Sequence, residues 1–224
     1  MMHQRKSKKI FFYFFLLFLF GSINNISFQS SKLLNLNNIK VSGLDDENNK
    51  DVLKNLKSLK LNNIFFLNED EIKKKIEKNP LIESYKILKI YPDTIDIKLK
   101  KTKFLGKINQ DGRILFLGSN GKLSEKVLEN QKLPFIFGKP KIKEFLHFKK
   151  IIDESKFSYF EIENFYFYPS KRWDIELKNN VVLKLPKDAT KISLDYLFNF
   201  LKKNNFKNNK IIDARVKNQI IVND

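Results

Sequence analysis

The sequence of 224 residues contains no cysteine and only two histidines, His3 and His147. Without thiols the chain forms neither a disulfide framework nor a thiolate metal site. Two imidazoles argue against a histidine-rich metal centre and a histidine-dependent catalytic triad. The seven glycines are scattered, and none opens a helix with the spacing of a phosphate-binding loop. We therefore expect no catalytic residue, no metal and no cofactor.

Two acidic clusters, residues 45–47 and 69–71, are the remaining candidates for acid/base chemistry. Each cluster stands where a helix is predicted to begin, and carboxylates in a first helical turn offset the helix dipole. We therefore interpret both clusters as helix-capping groups. His147 lies in an amphipathic helical stretch, and Trp173 opens a strand, so we expect structural roles for both side chains.

The composition is that of a folded, strongly basic protein. A hydrophobic content of 42% with 13% aromatic residues excludes a chain that is disordered throughout. The formal net charge of +18 is typical of nucleic-acid-binding proteins. Here, however, the lysines are spread along the whole chain together with many Asn, Ile and Phe residues, as AT-rich codons produce. We attribute the charge to this bias and predict no nucleic-acid partner.

The N-terminal residues predict a membrane anchor. Four cations within residues 5–9 precede an uninterrupted apolar run at residues 10–20. A helix over residues 10–28 would be about 28 Å long, close to the thickness of the bilayer core. Large side chains stand where a signal-peptide cleavage site needs small ones, so we favour an uncleaved anchor over a cleaved signal. The positive-inside rule places residues 1–9 in the cytoplasm and the bulk of the chain across the membrane, which for a bacterium means the periplasm.

The region after the anchor predicts the order strand, helix, helix, strand, strand. Asn68, with Glu71 three residues later, has the pattern of a helix N-cap. After a turn at residues 92–93, aliphatic and polar side chains alternate over residues 94–100, as in a half-buried strand. Two helices on one face of a small sheet would bury these apolar stripes.

From Phe104 onwards short strands dominate. Hairpin signals occur at Asp111–Gly112 and Asn120–Gly121. The later predicted elements are a helix around residues 145–152, strands at 173–177 and 181–185, a helix at about 189–204, and strand-like runs at 211–216 and 220–222. The predicted fold class is α+β, with one N-terminal transmembrane helix, a β-α-α-β-β module and a β-rich domain with two helices.

Six short sequence segments, in this order behind an anchor, resemble those of the bacterial cell-division family FtsQ/DivIB. They are Ile39–Gly43, Ile90–Ile97, Asp111–Gly112, Leu133–Gly138, Arg172–Leu177 with Leu185–Pro186, and Ile212–Arg215. The resemblance covers nearly the full length. It implies a POTRA domain at residues 36–103 and a β domain at 104–224.

The resemblance also implies a function. Members of the family are non-enzymatic scaffolds of the inner membrane at the division septum. They bridge early division proteins to an FtsB-like and FtsL-like pair and to septal peptidoglycan synthesis. The alternative is a POTRA-containing component of outer-membrane protein assembly or secretion. Only about 120 residues follow the small module, which is short for the transmembrane barrel of such proteins.

The resemblance places partner binding in the last strands. The predicted partner-binding residues are Ile211, Ile212, Asp213, Ala214, Arg215, Val216, Ile220, Ile221 and Val222. We expect residues 211–216 to form a strand near an exposed sheet edge, with which a partner strand pairs. Arg215 would bind an acidic residue of the FtsB-like partner. The alternative is that Asp213 and Arg215 are solvated edge charges. Ala214 departs from the larger aliphatic residue usual in the family.

The first prediction concerns the N-terminus. Because residues 20–27 offer a poor cleavage site, we expect the protein isolated from cell membranes to keep its N-terminal segment. Mass spectrometry of the intact protein measures this directly. A mature chain beginning near residues 23–29 would show that the segment is a cleaved signal peptide.

Overall fold

The computed structural model describes residues 7–23, 35–59, 63–126, 132–204, 210–216 and 219–223. The chain divides into two compact units, one of residues 1–79 with 84–100 and one of residues 80–83 with 101–224. Each unit is described by itself below.

The predicted anchor corresponds to helix α1 (Ser7–Ile23). The large apolar side chains of this helix, among them Phe11 and Phe18, are exposed. Residues 24–28 of the predicted anchor lie outside the described residues. Within the described residues, no helix combines the length and apolar character needed to cross a membrane.

The first unit has the predicted order of elements. They are β1 (Asn38–Ser42), α2 (Asp46–Leu56), α3 (Glu69–Glu77), β2 (Ile82–Ile90) and β3 (Thr94–Lys101), with the first two residues of β2 and the last of β3 assigned to the second unit. The strands form a sheet of order β1-β3-β2, in which β1 and β3 are parallel. β2 begins three residues before the predicted start at Tyr85.

Side-chain caps begin both helices of this unit. The Asp45 carboxylate accepts a hydrogen bond from the Asn48 backbone N–H at 2.9 Å, and this bond holds the pKa of Asp45 below its usual value. The Asn68 side-chain oxygen accepts from the backbone N–H groups of Asp70 and Glu71. The acidic residues 46–47 and 69–71 lie in the first turns of α2 and α3, so the interpretation of both clusters as groups of helix starts is confirmed.

One face of the three-stranded sheet is buried. Ile95, Ile97 and Leu99 of β3 are buried together with Ile39 of β1. The helix α2 packs against β1, and α3 packs against α2. The predicted alternation of β3 is confirmed. Gly43 directly follows β1; its φ of +114° suits glycine, and a Cβ there would lie 1.8 Å from the Leu99 carbonyl oxygen.

In the part that the structure describes, the second unit holds one nine-stranded sheet and two α-helices. The strands are β4 (Phe104–Gln110), β5 (Arg113–Gly118), β6 (Leu123–Ser124), β7 (Phe135–Phe137), β8 (Ile162–Phe167), β9 (Trp173–Leu177), β10 (Val182–Lys184), β11 (Ile211–Asp213) and β12 (Ile221–Asn223); the helices are α4 (Ile142–Glu154) and α5 (Lys191–Asn204). The sheet order is β12-β11-β10-β9-β8-β7-β4-β5-β6. The neighbours β4 and β7, β7 and β8, and β10 and β11 are parallel, and the other pairs are antiparallel.

An aromatic cluster forms the centre of this unit. Phe148 of α4 stacks on Trp173 of β9 with ring centroids 4.9 Å apart, and Phe145 packs edge-on against Phe165. The expected structural role of Trp173 is confirmed, because its side chain is buried. His147, on the same helix, is exposed. The predicted turn at residues 111–112 joins β4 to β5, with positive φ at both residues.

The second prediction concerns the inward face of β3. Ile97 is only 1% exposed, so replacing it with Asp buries an unpaired carboxylate at a cost of several kcal/mol, comparable with the stability of a small domain. We expect Ile97→Asp to unfold the first unit and leave the second folded, which limited proteolysis of the full chain measures.

Lys98→Asp is the matched control, because the neighbouring side chain is exposed and points to the opposite face of the strand. This variant keeps the protease resistance of the first unit. A resistant first unit in Ile97→Asp would contradict the burial of β3.

Candidate partner-binding edge

β12 occupies the outer edge of the nine-stranded sheet, in the part of the chain that the structure describes. β11 lies one strand further in, between β10 and β12, with Ile212 opposite Leu183 on one side and Val222 on the other. A partner strand therefore meets β12 before it meets β11. Residues 211–213 thus lie near the sheet edge, as expected, but they are covered by β12. The pairing of a partner strand with residues 211–216 stays a prediction.

The predicted strand over residues 211–216 is also too long. β11 ends at Asp213, because the Arg215 backbone N–H donates to the Asp213 side chain at 3.1 Å and so turns the chain out of the ladder. This is the local competition that aspartate side chains offer to strand hydrogen bonding. Val216 is exposed beyond this turn.

An ion pair within the chain holds Arg215. Its Nε lies 2.9 Å from both carboxylate oxygens of Asp213, and its Nη2 also donates to Asp213. The Asp213 side chain is 11% exposed, against 45% for Arg215. The two charges thus form a partly buried pair, which differs from the predicted pair of solvated edge charges. Arg215, which was predicted to bind an acidic residue of a partner, already has a carboxylate partner within the chain.

This pair continues a row of charges across the sheet. The strand register places Lys184 of β10 opposite both Asp174 of β9 and Asp213 of β11. The buried Asp174 carboxylate accepts from Nε of Arg172 at 3.1 Å and from the Leu185 backbone N–H at 3.3 Å. Two acids thus alternate with three cations beside the edge. Buried charges require such partners.

The arginine determines the protonation of Asp213. Hydrogen bonds from Arg215 hold the pKa of Asp213 below its usual value, the charge of Lys184 adds to this, and partial burial opposes it. The same pair raises the pKa of Arg215. Both groups are therefore charged at neutral pH.

An apolar groove of about 610 Å³ lies between α5 and the segment that joins β11 to β12. Leu194 and Leu197 anchor α5 in the core, whereas Ile192 and Tyr196 on the groove side are 80% and 56% exposed. On the opposite wall stand Val216 and Ile220. Ile220 of this groove directly precedes the edge strand β12.

Two family models match the chain. The FtsQ-type POTRA domain matches residues 34–101, and the C-terminal domain of the cell division protein FtsQ/DivIB matches residues 100–215, which is more than half of the chain. The chain belongs to the FtsQ/DivIB family.

Individual FtsQ and DivIB proteins are similar to this chain. The cell division protein FtsQ of Rickettsia conorii is 27% identical over 219 residues, covering 88% of this chain and 76% of the relative. FtsQ of Bradyrhizobium diazoefficiens is 24% identical over 71% of this chain and 48% of its own. DivIB of Clostridium acetobutylicum is 33% identical over 41% of this chain and 36% of its own. The comparisons do not favour the outer-membrane assembly alternative.

Membership in this non-enzymatic family makes the chain a cell-division protein with the predicted POTRA and β-rich domains. Among the described residues, no group of three or more histidine or acidic side chains is arranged to hold a metal ion. The edge thus offers main-chain hydrogen bonds, charges and an apolar groove, which are the means of protein recognition.

The predicted partner-binding residues of this FtsQ/DivIB chain differ in accessibility. Ile212 is fully buried in the core, whereas Ile221 and Val222 are 40% and 38% exposed. Ile211, Ala214 and Ile220 are half-buried. Ile192 and Tyr196 of α5 were not among the predicted partner-binding residues, although both line the groove. Their positions four residues apart on one helix face were the available signal.

The third prediction concerns pH. Because the folded-state pKa of Asp213 is depressed, its contribution to stability is complete above its ordinary value of 3.8 and is lost as the pH falls below that value towards the lowered pKa. We expect Asp213→Asn to destabilise the protein by about 1 kcal/mol at pH 7 and to lose less stability on acidification than the wild type. Urea denaturation in detergent at several pH values measures this.

The control is Asp188→Asn, because Asp188 is exposed. This variant should lose as much stability in acid as the wild type. An equally large acid loss in Asp213→Asn would show that the pair with Arg215 does not contribute.

Proposed function

We propose that this FtsQ/DivIB chain is a divisome scaffold that binds an FtsB-like protein at the β12 edge. The FtsB-like protein, accompanied by an FtsL-like protein, would connect the chain to septal peptidoglycan synthesis. The observation that carries the proposal is the position of β12. It is the outermost strand on this side of the sheet among the described residues, and its three residues are exposed.

The main chain of β12 supports strand addition. In a strand, the N–H and C=O groups of one residue point to one edge, and those of the next residue point to the other edge. One side of β12 is paired with β11, so its other side presents a donor and acceptor row to a partner. An added strand gains affinity from these main-chain bonds and specificity from side chains on the two faces.

Arg215 and the groove supply the specificity in this proposal. Arginine carries five N–H donors, and Asp213 takes those of Nε and Nη2. Donors thus remain for an acidic residue of the partner, and the Arg215 side chain is exposed enough to meet one. Ile192 and Tyr196 would contact an apolar partner side chain in the groove.

The placement in the cell is part of the same proposal. Residues 1–9 would lie in the cytoplasm, residues 10–28 would cross the inner membrane, and the POTRA domain of residues 36–103 and the β domain of residues 104–224 would lie in the periplasm at the septum. The cations before residue 10 and the apolar residues of α1 support this orientation. The POTRA domain would contact other division proteins.

The fourth prediction tests the edge by proline substitution at Ile221 and at Val222. Proline removes one N–H donor, and neighbouring amides of a strand point to opposite edges. At one position we expect capture of the FtsB-like partner to weaken by about tenfold, equivalent to one lost hydrogen bond, with unchanged urea midpoint. At the other position the proline also removes a hydrogen bond between β11 and β12, so we expect a lower urea midpoint as well.

Ile221→Val and Val222→Thr are the matched controls, because they keep the β-branched shape and the N–H donor. Both should capture the partner as the wild type does. Truncation after Lys210 should abolish capture while the first unit stays folded. Wild-type affinity in both proline variants and in the truncated chain would place partner binding elsewhere.

A further inference from the structure

The sheet of the first unit has a second face, opposite to α2 and α3. The buried side chains of β1 and β3 point towards the helices, so the residues that alternate with them point away. On β2, Lys89 lies on the helix side, because its Nζ is 2.9 Å from Oε1 of Glu69 on α3. The alternate residues of β2, including Lys86 and Leu88, therefore face away from the helices.

This outward face carries an excess of positive charge. It holds four exposed lysines, and we call it the lysine face: Lys40, Lys86, Lys98 and Lys100. Asp96 of β3 is an acidic residue on the same face. Within the part of the unit that the structure describes, the four lysines form no ion pair with a carboxylate. Asp96 lies opposite Lys40 in the strand register and offsets one of the four charges, so a net positive charge remains among the described residues of this face.

The helical side of the same unit has no such excess. Helices α2 and α3 with their cap residues carry eight acidic residues and seven lysines, and Lys89 adds one more lysine on this side, so the two signs balance. A general enrichment in lysine would make both sides of the unit basic. The positive charge is instead concentrated on the sheet, so composition alone does not explain the lysine face.

An apolar corner adjoins the lysines. Leu88 and Ile90 are exposed on the outward face of β2. The exposed Tyr91 follows in the turn and stacks on Phe65 with ring centroids 4.7 Å apart, and the neighbouring Phe66 is exposed as well. Aromatic rings beside lysines are typical of surfaces that meet the interface of a bilayer, where the rings enter and the ammonium groups stay at the headgroups.

We propose that the lysine face docks on the anionic phospholipid headgroups of the membrane. The inference rests on the proposed anchoring of the chain by α1. Residues 24–37 separate α1 from β1, and fourteen residues span at most about 50 Å. The sheet therefore stays near the bilayer at a high effective concentration. Clustered lysines are attracted to anionic lipids within about 10 Å of the surface. Docking would turn helices α2 and α3 away from the membrane.

The absence of cysteine allows a direct distance measurement. Ser42→Cys places a fluorophore on the outward face, opposite Lys98 in the strand register, and Asn55→Cys places one on the exposed side of α2. The full chain is reconstituted in lipid nanodiscs that carry acceptor-labelled headgroups. The discs contain phosphatidylcholine with or without phosphatidylglycerol.

We expect more energy transfer from position 42 than from position 55 in the discs with phosphatidylglycerol. This difference is lost in pure phosphatidylcholine and at high salt. Replacing the four lysines of the lysine face with Gln abolishes it. The matched control replaces Lys50, Lys54, Lys73 and Lys74 of the helices with Gln, removes the same charge and keeps the difference.

Equal transfer from the two positions in anionic discs would overturn the inference, and this is the result expected if the lysine face serves a protein partner. A difference that persists without phosphatidylglycerol, or that the helix-side control also abolishes, would overturn it too. Co-elution of the chain with the discs reports anchoring separately. A chain that does not co-elute refutes the anchoring, and with it the tether on which docking depends.

Discussion

The packing of α5 on the sheet determines where the chain presents its edge. Leu194 and Leu197 are fully buried in the same core as Leu183 of β10 and Ile212 of β11. The helix connects two parallel neighbours, as parallel pairing requires a crossover. Once α5 is seated, β11 is fixed beside β10, and β12 folds back as the outermost strand. The groove, the charge row and the edge all follow from this one connection.

The charge row fits the same constraint. Residues 174, 184 and 213 lie side by side on the neighbouring strands β9, β10 and β11 only if β11 pairs with β10 in the observed register. A shift by one residue would turn each side chain to the other face of the sheet. Ile212 would then leave the core and Asp213 would lose its place beside Lys184. The acids and the aliphatic residues therefore specify one register together.

Sequence patterns predicted local elements well and pairing poorly. The alternation around Ile95 and Ile97 and the cap at Asn68 depend on neighbouring residues, and both were predicted correctly. The position of β11 between β10 and β12 depends on residues far apart in the chain. β11 has three residues, which are too few to show the alternation of buried and exposed side chains that marks the ends of a strand. The pair between Asp213 and Arg215 was missed because Arg215 was assigned to an acidic residue of the partner instead of to its neighbour on the same face of the predicted strand.

The short ladder between β4 and β7, which we call the β4–β7 seam, affects how the sheet opens locally. β7 joins the β4–β6 hairpins to the remaining strands, and its ladder with β4 has two residue pairs, Lys107 with Phe135 and Ile108 with Ile136. Gly106 lies so close that a Cβ would meet the Ile136 side chain at 2.8 Å. A narrow seam of this kind is where a sheet separates into cooperative subunits of unequal stability. The β4–β6 hairpins can thus exchange their amide protons through openings that leave β8 to β12 intact.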